Sequence, residues 1–295
     1  MKLLQALLVT TIIVTGSVAA FAAGDHASGH GSDAPTAATS MSHDAMGHGG
    51  EKMESMMVKN TVKLTLEPDV PLEAGKTMQV TLKLNAVTDN KPLTLDDLKE
   101  AHTKKLHLLI VDPTLTDYHH IHPVAGENSG EYVFDFTPLK KDSYRVWADV
   151  IPTATGKQEY VQTDMGTPAK EKASIDKTTS MTATVDGYTF TLALDGEPKA
   201  GSPVMGNVTV TKDGQPFTGL EPVMGAFAHV VGFTEDYNSV LHVHPMGKEP
   251  TSDTERGGPK LEFHIEPEKA GFVKLFTQVR IDGKDIFAPF GITVK

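Results

Sequence analysis

From Val58 onward the chain alternates apolar and polar residues over short runs separated by Gly, Pro, Asp and Asn. Val62 to Leu66 and Met78 to Leu84 both have period two, the spacing that turns one face of a strand to a core and the other to water. Glu131 to Phe136 and Tyr144 to Val150 continue the pattern. It resumes after a small, polar stretch, in Tyr188 to Leu192, Val208 to Val210, Phe227 to Phe233, Leu261 to Ile265, Gly271 to Val279 and Ile286 to Val294. Thr94 to His102 is the one segment that reads as a short helix, with Thr94 as its N-cap. Many short strands at regular spacing predict an all-β protein of two tandem antiparallel β-sandwich domains, over 58–165 and 181–295, with a linker at 166–180.

The first 57 residues have a different texture. Lys2, the apolar run Leu3 to Val14 and the small residues Ala19 to Ala23 form a signal peptide over 1–22, cut after Ala22, or after Ala23. The apolar run is too short to span a bilayer. The expectation is therefore a periplasmic or secreted protein with no membrane insertion after cleavage. Residues 23–57 are rich in Gly, Ser and Ala and hold little to bury, so they are expected to be disordered.

The two halves repeat each other. His107 is followed 13 residues later by His120 and then by His122-Pro123; His229 is followed in the same steps by His242 and His244-Pro245. Later landmarks keep the correspondence at an offset seven residues larger, pairing Phe134 with Phe263, Pro138 with Pro267 and Trp147 with Phe276. The second half thus carries a longer loop around 246–260, and the chain is a tandem duplication.

Composition narrows the chemistry. The 295 residues contain no cysteine, which excludes disulfides, thiolate metal sites and thiol nucleophiles. The formal charge is −11, with no Lys/Arg-rich run, so a nucleic-acid partner is not expected. Thirteen His and 12 Met remain as the metal-binding side chains. Alternate residues of a strand share a face, so His120 and His122 lie together, with Ile121 opposite. A hairpin turning near Leu115 sets His107 beside His122, and three imidazoles then converge on one ion. A turn near Asp236-Tyr237 does the same for His229, His242 and His244, with Met246 as a soft additional ligand. Three neutral imidazoles suit copper or zinc. In the N-terminal segment His43, Met46 and His48 interleave imidazole with thioether, a pattern suited to Cu(I), Cu(II) and silver. His-x-His followed by Glu127 or Glu249 also matches part of the first metal motif of cupins.

Met224 to Val231, Leu241-His242-Val243-His244-Pro245 and Phe287-Ala288-Pro289-Phe290 give the second half a resemblance to YtkA-like exported bacterial domains. The resemblance implies an immunoglobulin-like sandwich and a link to heavy-metal handling. The first half joins through the internal repeat, but it has an extra His119 and lacks the Phe-Ala-Pro-Phe ending. The N-terminal segment resembles the His/Met-rich segments of periplasmic copper- and silver-buffering proteins. The expected function is binding of copper or silver, with zinc as a further ion, for buffering, resistance or delivery to a metal efflux or assembly protein, without catalysis. A cupin-like or dismutase-like metalloenzyme and a structural adaptor of a membrane complex are the alternatives.

Overall fold

The alternating runs form strands. The computed structural model describes residues 60–67, 72–168 and 173–295, with His242 and His244 described by their backbone alone. The predicted signal peptide, and the segment with His43, Met46 and His48, lie outside the described residues.

The first half contains β1 (Val62–Glu67), β2 (Met78–Ala86), β3 (Leu98–Lys99), β4 (His107–Val111), β5 (Tyr118–Ile121), β6 (Val124–Ala125), β7 (Glu131–Phe136), β8 (Tyr144–Pro152) and β9 (Glu159–Met165). One sheet has the order β1-β2-β7-β6; in the other, β8 lies between β4 and β9, and β5 pairs the far edge of β4. All pairs are antiparallel. Two such sheets with this strand order are an immunoglobulin-like sandwich. Inward residues of both sheets, among them Leu82, Leu84, Leu108, Ile110, Phe136 and Val146, form its core. Burying each contributes roughly 1.5–3 kcal/mol, which is what fixes the strand registers.

The second half contains β10 (Thr182–Val185), β11 (Tyr188–Leu194), β12 (Val204–Lys212), β13 (Gln215–Pro216), β14 (His229–Thr234), β15 (Val240–Met246), β16 (Lys260–Ile265), β17 (Gly271–Ile281) and β18 (Lys284–Val294). Here β15 pairs with β14 and then with β16, so the two layers join into one path, β10-β11-β12-β16-β15-β14-β17-β18. In the first half the equivalent chain breaks at His122-Pro123, leaving β5 on β4 and β6 on β7. The chain is thus two tandem sandwiches.

The helix expected at Thr94 to His102 is not formed. Only Leu95–Asp97 makes a 3-10 turn, whose Asp97 carboxylate accepts hydrogen bonds from the Thr94 backbone and hydroxyl, both at 2.9 Å. Leu98 is already extended and pairs with Pro152 of β8, and His102 and Thr103 have φ of +49° and +66°, values no right-handed helix contains. Strand pairing overrides local helix propensity here. Among the described residues no helix is long and apolar enough to cross a membrane.

The sandwiches pack through the sheets that carry the histidines. Leu109, Val111, Leu115, Tyr118 and Trp147 of the first half form a buried cluster with Phe233 and Phe276 of the second. Trp147 and Phe276 are the equivalent residues of the two copies, so the interface joins like face to like face. Tyr237 anchors it: its hydroxyl donates to the Val111 carbonyl at 2.7 Å and accepts from the Arg145 backbone N–H at 2.6 Å.

Candidate metal centre

The β4–β5 hairpin pairs Leu109 with His120 and Leu108 with Ile121, the register expected from a turn at Leu115. Leu108, Ile110 and Ile121 face the core of the first sandwich. His107 and His120 therefore share the opposite face, and His122 follows two residues on. His107 Nδ1 is 3.0 Å from His122 Nε2 and 3.2 Å from His120 Nε2. The three ligand atoms all lie within 4.8 Å of one another.

The outer nitrogens determine which inner nitrogens carry lone pairs. His107 Nε2 lies 2.9 Å from the Ala101 carbonyl, which can only accept, so Nε2 holds the hydrogen and Nδ1 is the lone pair. His120 Nδ1 lies 2.8 Å from Gln278 Oε1. The Gln278 amide is oriented by Asp285, whose carboxylate accepts from Gln278 Nε2 at 3.1 Å. Its oxygen must then face His120, which makes His120 Nδ1 the donor and His120 Nε2 a second inward lone pair. His122 can donate one hydrogen toward these two acceptors and no more. A cluster one donor short has room for one further donor or a cation. Ideal tetrahedral coordination at about 2.0–2.1 Å would separate the nitrogens by about 3.3 Å, within a few tenths of the two separations from His107.

Electrostatics favour the neutral, ligating form. His107 is 4% exposed, and burial pushes its pKa down. Burial pushes His120 well below the usual histidine range, reinforced by repulsion from His122 and His107. His122 is brought to about 4 by burial and then by the neighbouring His107, Lys104 and Arg280. A cleft of about 580 Å³ opens beside His122 and is lined also by Lys104, Met224, Arg256, Gln278 and Arg280.

The second half repeats the backbone frame. His229 opens β14 as His107 opens β4, and its Nε2 donates to the Val223 carbonyl at 3.0 Å, six residues upstream, as His107 does to Ala101. Burial lowers its pKa to about 4. His242 pairs with Val231, the register of His120 with Leu109, and His244 pairs with His264 across β15 and β16. Met246 is 51% exposed, at the rim of a second cleft shared with His102 and Met224. His119 belongs to neither set. It faces the first sandwich's core edge, with its ring 4.9 Å from Phe136 and Nε2 2.9 Å from Asp117 Oδ1.

Three residues that the sequence did not single out join the site. His102 sits at the tip of a left-handed turn, its ring 6.3 Å from His107 and 5.1 Å from His229. Asp149 pairs with His107 across β4 and β8; burial raises its pKa to about 6, against the Gln158 amide that donates to it at 2.7 Å. Gln278 pairs with His229 across β14 and β17 and is 2% exposed. The repeat held a signal for the last two, because the larger offset aligns Asp149 with Gln278. A cavity of about 30 Å³ between the sandwiches touches His102, His107, His120, Asp149, Tyr160 and His229.

Fold and site together define a pair of immunoglobulin-like sandwiches with histidines gathered at their common face. The chain belongs to the family described as a domain of unknown function, DUF8832, whose pattern matches residues 57–167 and again 183–295. The two matches are the two copies of the duplication. No curated protein matches the sequence. Among solved structures it is similar to the D00-D0 domain of intimin, at 11% identity, 79% of this chain, 99% of that chain and a TM-score of 0.23. Domains 4 and 5 of the S-layer protein SbsC give 15% identity, 80% and 98% coverage and a TM-score of 0.21. Salmonella alpha-2-macroglobulin gives 13% identity and a TM-score of 0.24; the match covers 80% of this chain and 15% of that one.

Proposed function

We propose that this protein binds a transition-metal ion at His107, His120 and His122, and that it serves as an exported copper or silver buffer or as a delivery protein. The observation that carries the reading is the convergence of His107 Nδ1, His120 Nε2 and His122 Nε2 within 4.8 Å, with the outer nitrogens of His107 and His120 held by hydrogen bonds. Histidine ligands in metal sites are oriented in this way, by a hydrogen bond from the second ring nitrogen. Imidazoles without thiolate accept Cu(II), Zn(II) and Cu(I). The repeated frame at His229, His242 and His244, with Met246 two positions on, supplies a second candidate set. His43, Met46 and His48 are the proposed capture groups, handing ions to the domains by ligand exchange. The recipient would be an efflux or assembly protein. The resemblance to heavy-metal-linked exported domains agrees with this role, and catalysis forms no part of it.

The test is a titration of the full chain with Cu(II), Cu(I) and Zn(II) under competition with a chromogenic chelator. His107→Ala/His120→Ala/His122→Ala should lose one tightly bound equivalent while remaining folded. Equal uptake by the two proteins would end the reading.

A further inference from the structure

The first-half metal centre is not built by the first half alone. His120 is half-buried, and the group that holds its outer nitrogen, Gln278, lies 158 residues away in the other sandwich. Gln278 is itself fixed. Its amide donates to Asp285 at 3.1 Å, and Asp285 accepts from Arg280 Nε at 2.7 Å through its other oxygen. This chain runs along β17 and β18 and ends on the imidazole of β5.

We propose that Gln278 is a positioning residue for the three-histidine centre and that docking of the second sandwich therefore sets the metal affinity of the first. The proposal rests on the reading that the triad binds metal. Its physical content is a tautomer choice. Without an acceptor at Gln278 Oε1, neutral His120 gains nothing by keeping its hydrogen on Nδ1. The hydrogen can then sit on Nε2, where it blocks the lone pair that faces His107. With Gln278 in place the ligating tautomer is the one already populated, and the ring cannot swing away. Linkage makes the effect reciprocal: an ion that binds the docked form more tightly stabilises docking by the same factor.

The protein carries its own reporter of docking. Its single tryptophan, Trp147, is 2% exposed in the interface, with its ring 5.3 Å from Phe233 and 5.9 Å from Tyr237 of the second sandwich. The experiment uses the full chain and Zn(II), which does not quench fluorescence by redox chemistry. Zn(II) affinity is measured by chelator competition, and docking by the denaturant midpoint of Trp147 emission with and without Zn(II). Gln278→Met, which keeps the length and removes the acceptor, should weaken Zn(II) binding about 10–100-fold. Gln278→Glu combined with Asp285→Asn, which restores an acceptor oxygen toward His120 and an amide donor behind it, should return it to within about fivefold of wild type. Bound Zn(II) should raise the Trp147 midpoint in the wild type and raise it less in Gln278→Met. Should Gln278→Met fail to fold, Asp285→Ala frees the amide to turn its N–H toward His120 and should give the same loss. Wild-type affinity in the variant that folds, or a Trp147 midpoint indifferent to Zn(II) in the wild type, overturns the proposal. Failure of the parent reading looks different: the wild type would then bind Zn(II) no better than the triple alanine variant.

Discussion

The two copies of the duplicated sandwich keep the same histidine frame and differ in what surrounds it. Both start the first histidine strand with an imidazole that donates to a carbonyl six residues upstream, Ala101 in one copy and Val223 in the other. Both offer that carbonyl from a turn with two successive left-handed residues, His102-Thr103 and Met224-Gly225. A non-glycine residue at such a φ costs of order 1 kcal/mol, which the surrounding structure has to offset. The tips differ: an imidazole near His229 in one copy, a thioether lining the cleft at His122 in the other. The residue opposite the first histidine differs too, Asp149 against Gln278. Duplication preserved the histidines and the backbone that aims them, while the outer groups diverged: Gln278 reaches His120 of the other copy, whereas Asp149 is held by Gln158 of its own.

The largest effects are expected from removing histidines one copy at a time. His120→Ala/His122→Ala should weaken the first-half site by more than 100-fold, beyond the range of outer-shell changes, and leave ions held by the second half in place. His242→Ala/His244→Ala should do the reverse. Equilibrium dialysis with Zn(II) separates the two stoichiometries. If either double variant abolished all uptake, the copies would form one shared centre and not two.

The hairpin turns give the next contrast. In the first copy the buried Asp112 accepts from the Thr116 and Asp117 backbone N–H groups, both at 2.8 Å, and from Lys140 Nζ at 2.8 Å. The second copy's turn uses Asp236, which accepts from the Asn238 N–H at 3.0 Å at an exposed site. Burial alone would raise the Asp112 pKa, but Lys140 and the local N–H and hydroxyl donors outweigh it, and the pKa is lowered. A carboxyl depressed in the folded state contributes stability above its unfolded pKa of about 3.9, and loses it as pH falls through the folded value. Asp112→Asn should therefore cost about 2–3 kcal/mol at pH 7, with the gap to wild type closing below about pH 4. Urea unfolding at a series of pH values measures it. A gap independent of pH would show that Asp112 acts by shape and not by charge.

Met224 sharpens the contrast between the turn tips. Met224→Leu keeps the apolar volume and removes the thioether. It should lower Cu(I) affinity at the first-half site about tenfold, about 1.4 kcal/mol, and leave Zn(II) affinity unchanged, because thioethers discriminate for soft ions. Equal losses for both ions would mean that Met224 only supports the turn.

Much of this fold is legible in the sequence. Period two predicted the strands, and the 13- and 15-residue steps predicted the hairpin register that puts His107 beside His122. What stayed hidden has a common cause: strand periodicity says which residues share a face, not what lies across from that face. Leu109, Val111 and Trp147 read as ordinary strand residues, yet they meet Phe233 and Phe276 of the other copy. Their signal was present in the unbroken apolar run Leu108 to Val111, too hydrophobic for a strand with one wet face. Gln278 was hidden for the same reason, since its partner His120 belongs to the other sandwich. His102 was misread because helix propensity spoke for Thr94 to His102, whereas pairing of Leu98 with Pro152 and the left-handed turn decided the matter.

The smallest expected effect tests whether the interface is held mainly by polar anchoring or by its apolar cluster. Tyr237 occupies the place that Leu115 fills in the first copy, and it alone adds a hydroxyl, shared between the Val111 carbonyl and the Arg145 N–H. The Arg145 guanidinium also stacks over the Tyr237 ring, 4.6 Å from its centre. Tyr237→Phe keeps the ring, the stacking and the apolar contacts and removes only the hydroxyl. The net worth of one such group is about 1 kcal/mol, and the orphaned Arg145 N–H adds to that because it is half-buried near the end of a central strand. The Trp147 denaturant midpoint should fall by the equivalent of about 1–2 kcal/mol. Burial of Trp147, Phe233 and Phe276 contributes several times as much, so the domains should remain docked. If the hydroxyl instead carried the interface, Trp147 emission would shift to that of a solvent-exposed indole without any denaturant, and the apolar cluster would be a consequence of docking and not its cause.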